Sequence, residues 1–138
     1  MSLAGRVLVV DDQEDIREMA RIVLTGAGYD VATAASGEEG LRLLRESAFD
    51  LMLLDINMPT LDGWATLRLL RADEAFDGLP VAMFSVKSEV RDKVASMKDG
   101  ATDYITKPFG VDDLVQRVSR IIAEHGGGAR AVPAASPR

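Results

Sequence analysis

Cysteine is absent from the 138 residues, so disulfides, thiolate metal sites and cysteine nucleophiles are all excluded. Histidine is almost absent too. His125 stands alone, and one imidazole cannot build a histidine-based zinc cluster within a chain. Positive charge is in deficit: 16 Lys and Arg against 22 Asp and Glu leave a net charge of −6. With no basic stripe either, direct nucleic-acid binding by this chain is not expected. No apolar run approaches the roughly 20 residues of a membrane span, and no signal peptide is visible. The chain therefore reads as a soluble cytoplasmic domain with no membrane role. Its length fits one domain, large enough to bury a core without staples.

What the chain does have is apolar runs that end in acids. Leu51 to Leu54 are four apolar residues in a row, closed by Asp55, and they read as a strand buried on both faces. Val7 to Val10 form a second such run, closed by Asp11 and Asp12. Asp at the end of a strand is ordinarily a capping residue. Two runs ending alike argue for more, because an isolated carboxylate at the rim of a core costs free energy unless something meets it.

Between and beyond these runs the periodicity alternates. Ile16, Met19, Ala20, Val23, Leu24 and Ala27 recur at helical spacing. Glu14 and Asp15 fall in that helix's first turn, where its dipole favours acids, and Gly26 and Gly28 stop it. Residues 29–34 predict a short edge strand. Ser36 starts a helix carrying Leu41 and Leu44, and the buried strand over 50–55 follows, with Asp50 as a polar strand-end residue. Asp62 caps a helix through Trp64, Leu67 and Leu70, with Trp64 as a packing residue. Residues 80–84 predict a third buried strand ending at Ser85. A helix over 88–98, through Val90, Val94 and Met97, closes at Gly100. Residues 102–106 read as a second edge strand, and Lys107-Pro108 leads into a last helix through Leu114, Val118 and Ile122. Residues 126–138 have no periodic pattern and are expected to be a disordered tail or linker beyond a domain of residues 1–125.

Five strands alternating with five helices predict an α/β fold, a parallel sheet covered on both faces. The first, third and fourth strands are the most apolar, so the second and fifth belong at the edges. That is the order 2-1-3-4-5, the flavodoxin-like (βα)5 doubly wound arrangement, whose crevice lies at the carboxyl ends of the first and third strands. Asp11, Asp12 and Asp55 meet there, with Ser85 one strand over and Lys107 after the fifth. Three acids, a hydroxyl and an ammonium at one edge predict phosphoryl chemistry. An all-oxygen donor set favours magnesium, Lys107 is a point charge toward the transferring group, and Asp55 is the candidate nucleophile.

Over residues 5 to about 124 the chain resembles a receiver domain of bacterial two-component response regulators, the chemotaxis-type receiver family. The resemblance rests on the acid pair in VLVVDDQEDIRE, the acceptor in DLMLLDINMPTLDG, Ser85 in VAMFSVKSE and the lysine of GATDYITKPF. It implies that Asp55 accepts a phosphoryl group from the phosphohistidine of a sensor histidine kinase or phosphotransfer protein. It implies that Asp11, Asp12, Asp55 and the backbone carbonyl of Asn57 hold magnesium, while Ser85 and Lys107 contact phosphoryl oxygens. It further implies a switch in which Ser85 moves and Tyr104 turns inward, a cis Lys107-Pro108 bond, and signalling rather than turnover of a separate substrate. Read from its strand alone, Tyr104 is a plain edge-strand aromatic.

The output face is expected on the helix over 88–98, the fifth strand and the last helix, where mixed charges would suit a homodimer or an output domain or effector protein. Two departures from the family pattern stand out. Val86 replaces the small residue usual after the Ser or Thr, and Ser85 replaces the commoner threonine. Lys87 and Asn57 flank the opening. Among other readings, a haloacid-dehalogenase-like phosphatase wants a second acid two residues past the nucleophile, where this chain has Asn57. Nucleotide or flavin binding wants a Gly-rich phosphate loop after Val10, where two acids stand instead.

Overall fold

The computed structural model describes residues 4–86 and 100–125. Strands β1 (Gly5–Val10), β2 (Tyr29–Ala34), β3 (Leu51–Asp55), β4 (Val81–Val86) and β5 (Asp103–Lys107) form one sheet. Helices α1 (Glu14–Gly26), α2 (Gly37–Glu46), α3 (Gly63–Arg71) and α4 (Val111–His125) flank it, with a 3-10 turn at Glu74–Phe76. The helix expected over 88–98 and the tail over 126–138 lie outside the described residues.

The sheet runs β2-β1-β3-β4-β5, and every pairing is parallel. The flavodoxin-like order expected from strand composition is therefore the one observed. Alternation within the strands divides the core in two. Leu8, Val10, Met52, Leu54 and Met83 face α2 and α3, packing on Leu44, Leu67 and Leu70. Val7, Val9, Leu51, Leu53 and Phe84 face α1 and α4, packing on Leu24, Leu114 and Val118. Val7–Val10 and Leu51–Leu54 are wholly inaccessible to solvent, and each such side chain contributes about 1.5–3 kcal/mol by its removal from water.

Several local expectations shift by a residue or two, each because pairing or packing overrides local pattern. β4 runs past Ser85 to Val86, since Ser85 and Val86 pair with Thr106 and Lys107. β5 begins at Asp103, while the Thr102 hydroxyl accepts a hydrogen bond from the Val81 N–H at 3.0 Å. Asp50 precedes β3 and is buried, its carboxylate accepting the Arg6 N–H at 2.8 Å. Met19 is 47% exposed, because α1 turns Ala20 and Leu24 inward instead. Tyr104 is buried within the core on the α2/α3 side, so its strand's polar composition understates its environment.

Two details of the α3 start fix the loop after β3. The Asp62 carboxylate caps α3 by accepting the Ala65 N–H at 2.9 Å. Gly63 lies so close to the strand end that an added Cβ would fall 2.2 Å from the Asp55 carbonyl oxygen. Only a residue without a side chain lets α3 start this close to β3.

Candidate functional site

Because β1 and β3 are neighbours in register, with Val10 opposite Leu54, the residues just beyond them emerge together at the carboxyl edge. Asp11 is fully buried and Asp55 nearly so. Lys107, at the end of β5, crosses β4 to meet both: its Nζ donates to Asp11 Oδ2 at 2.8 Å and to Asp55 Oδ1 at 3.0 Å. The ammonium also lies 5.8 Å from the Phe84 ring centroid, and Phe84 stacks on Phe109 at 5.3 Å. The Lys107 side chain is only 12% exposed, and out of water its charge is felt more strongly.

Asp12 is exposed at the same edge. Asp11, Asp12 and Asp55 each offer an oxygen, and the three oxygens lie within 4.8 Å of one another. A cleft of about 210 Å³ opens over them, lined by Asp12, Gln13, Asp55, Asn57, Val86 and Lys107. Ser85 is buried beside it on β4, with its hydroxyl donating to the Val86 carbonyl at 2.9 Å. The Lys107–Pro108 peptide bond is cis.

Electrostatics follow from this crowding. Burial, then the Asp11 charge, pushes the Asp55 carboxyl up to about 6, against the pull of Lys107 and of the Asn57 backbone. Burial works against the Lys107 ammonium, but its hydrogen bonds to Asp11 and Asp55 and their charges outweigh it and raise the lysine. Among the described residues one ammonium thus answers the two buried carboxylates and leaves Asp12 over. An all-oxygen set of three acids with a charge surplus fits a hard divalent cation, and it fits no soft-ligand metal.

The structure brings Asp12, Asp55, Asn57 and Lys107 to a single cleft, with Asp11 buried and bonded to Lys107 and Ser85 on the adjoining strand. Tyr104 sits apart from the cleft, opposite Met83 in the β4–β5 register. Sequence reasoning missed Gln13 as a wall of the cleft and the Phe84–Phe109 stack beside the lysine. For Gln13, the one available signal was its place two residues past Asp11. Nothing in its residue type pointed to a site.

Fold and rim together define an open parallel α/β domain carrying an acid-rich crevice suited to phosphoryl groups and a divalent cation. A family model for the response regulator receiver domain matches residues 7–119. The chain is 43% identical over 124 residues to the transcriptional regulatory protein PrrA of Mycobacterium tuberculosis, covering 90% of this chain and 52% of that protein. In structure it is similar to a putative response regulator from Chloroflexus aurantiacus, with TM-score 0.81 and 37% identity over 86% of this chain and 98% of that one. It is likewise similar to the Vibrio cholerae chemotaxis protein CheY4, with TM-score 0.80 and 31% identity over 88% and 99% of the two chains.

The chain belongs to the family of response regulator receiver domains, the phosphoacceptor signalling modules of two-component systems, and its acid cluster fits a phosphoacceptor site. It spans about half the length of the curated relatives it matches. Among the described residues no helix is long and apolar enough to cross a membrane.

Proposed function

We propose that Asp55 of this receiver accepts a phosphoryl group from the phosphohistidine of a sensor histidine kinase or phosphotransfer protein. The observation that carries the proposal is the position of the Lys107 ammonium, 2.8 Å from Asp11 and 3.0 Å from Asp55, at the floor of a cleft open to a donor. With a carboxyl titrating near 6, Asp55 is mostly ionised at neutral pH, and its oxygen is available as a nucleophile. In transfer, an Asp55 oxygen bonds to phosphorus as the phosphorus–nitrogen bond breaks, and the electron pair leaves with the imidazole nitrogen of the donor.

Magnesium is the cation this donor set would take, held by Asp11, Asp12, Asp55 and the Asn57 backbone carbonyl, and it supplies charge neutralisation to carboxylates and phosphoryl oxygens. Lys107 keeps a point charge beside the acceptor and orients the phosphoryl group. Ser85, whose hydroxyl now serves the Val86 carbonyl, turns to donate to a phosphoryl oxygen. Tyr104, buried on the adjoining strand, follows that movement, and the change reaches the face that β5 and α4 contribute to. That face is where an output domain, an effector protein or a second copy of the chain would dock. Chemistry ends with the domain's own phosphotransfer and autodephosphorylation.

The working unit is residues 1–125, with residues 126–138 as tail or linker, in the cytoplasm and without direct contact to nucleic acid. The likeness to the Vibrio chemotaxis protein over nearly all of that chain supports placing it in the chemotaxis-type group.

The test is incubation with phosphoramidate and magnesium, followed by intact mass measurement. Wild type should gain one base-labile phosphate, and none should form when magnesium is chelated before the donor is added. An Asp55→Asn variant that labels as well as wild type would show that the acceptor lies elsewhere.

A further inference from the structure

Gln13 occupies the N-cap position of α1 with φ −91° and ψ 118°, yet its side chain makes no capping hydrogen bond. Caps are normally short: Ser, Thr, Asp or Asn reaches the amides of the first turn, and a residue that cannot do so forgoes that stabilisation. The same chain caps α2 with Ser36 and α3 with Asp62, so it caps well elsewhere. At Gln13 the backbone is fully employed. Its N–H donates to Asp11 Oδ1 at 2.9 Å, and its carbonyl accepts from the Arg17 N–H at 3.2 Å. Its carboxamide has no partner among the described residues, and the residue lines the cleft above Asp55. Asp11, which holds Lys107 through one carboxylate oxygen, therefore holds Gln13 through the other.

We propose that Gln13 sets the lifetime of phosphorylated Asp55 by orienting the attacking water with its free carboxamide. This rests on the acceptor reading of Asp55 given above. A carboxamide suits the task because its oxygen accepts from a water proton while its NH₂ donates to a phosphoryl oxygen, and glutamine performs the same service in phosphoryl transfer on unrelated folds. In the step itself, the water oxygen bonds to phosphorus and the bond from phosphorus to the Asp55 oxygen breaks. The electron pair returns to the Asp55 carboxylate, and the water's protons stay with the released phosphate. The absent cap and the free carboxamide are then two sides of one choice, with helix stability given up for hydrolytic control.

That choice can be read in two independent measurements. Wild type, Gln13→Ala and Gln13→Ser are labelled with phosphoramidate and magnesium, stripped of donor, and followed by intact mass. Urea midpoints of the unlabelled proteins are measured in parallel. Both variants should lose phosphate more slowly, by about fivefold, the rate equivalent of one net hydrogen bond. Gln13→Ser, which restores a capping hydroxyl, should also unfold at higher urea than wild type. Unchanged lifetimes in both variants, with wild type labelled, overturn this proposal alone, and so does a Ser variant no more stable than wild type. A wild type that takes no label overturns the acceptor reading and this proposal with it.

Discussion

The two ends of the sheet each carry acids, at least one of them buried, beside a basic side chain, and they handle charge in opposite ways. At the amino edge, Arg6 Nε donates to Asp30 at 2.7 Å, its Nη1 to the Ala48 carbonyl at 3.1 Å, and its backbone N–H to Asp50 at 2.8 Å. The guanidinium also lies 4.6 Å from the Phe49 ring centroid. Donors there are matched to acceptors, and the Arg6–Asp30 pair is partly in water, with side chains 30% and 44% exposed. At the carboxyl edge, among the described residues, a single ammonium serves Asp11 and Asp55, whose side chains are 0% and 7% exposed, while Asp12 adds a third negative charge at the rim. A buried acid at a strand end is thus not a site by virtue of burial. What separates the two edges is how far their surplus of acids is answered. At the amino edge one Arg faces two acids and Asp50 is met by a backbone amide; at the carboxyl edge, among the described residues, one Lys faces three acids, a shortfall that a cation would supply.

The largest expected contrast comes from removing each edge's cation. Lys107→Met leaves two buried carboxylates without their counter-ion and should lower unfolding free energy by about 3–5 kcal/mol at neutral pH. Arg6→Met, at a partly exposed pair, should cost about 1 kcal/mol. Comparable losses in urea unfolding would mean that the two edges are equivalent after all.

The next contrast is with pH. Asp55 titrates at about 6 in the folded chain against 3.8 for the ordinary carboxyl, so the folded state holds its proton more tightly than the unfolded state. Its contribution to folding is fully present below pH 3.8 and is lost as pH rises through 6. The loss is at most about 3 kcal/mol, because each tenfold difference in proton affinity corresponds to about 1.4 kcal/mol. Metal-free wild type should therefore lose stability across that window, and Asp55→Asn should show a flatter profile. Identical profiles for the two proteins would refute the raised titration of Asp55.

Much of this contrast could be read from the amino acids. Val7–Val10 and Leu51–Leu54 are apolar at every position because central strands of a doubly covered sheet have no solvent face, so strand order and the acid-bearing crevice followed from composition. Other features depend on what each residue meets after folding. β4 continues through Ser85 and Val86 only because Thr106 and Lys107 stand opposite. Asp50 looked like an ordinary strand-end acid, and the Arg6 amide that engages it is 44 residues away. Tyr104 sits in a half-polar run yet is buried, and Met19 keeps the helical spacing yet is exposed. Gln13 lies just ahead of α1, where no periodicity marks which way a side chain points, so only its place two residues past Asp11 pointed to the cleft wall.

The claim that the carboxyl edge is short of positive charge is tested most directly by urea unfolding of wild type and Asp55→Asn at pH 7, each in EDTA and in excess magnesium. In EDTA the variant should be the more stable protein, by about 1–3 kcal/mol, since it removes one of the crowded charges. Magnesium should then stabilise wild type in step with its concentration, as RT ln(1 + [Mg]/Kd), and should help the variant much less. A variant less stable than wild type in EDTA, with magnesium helping both equally, would mean that Asp11, Asp12 and Asp55 are structural acids like Asp50 and that the edge needs no cation.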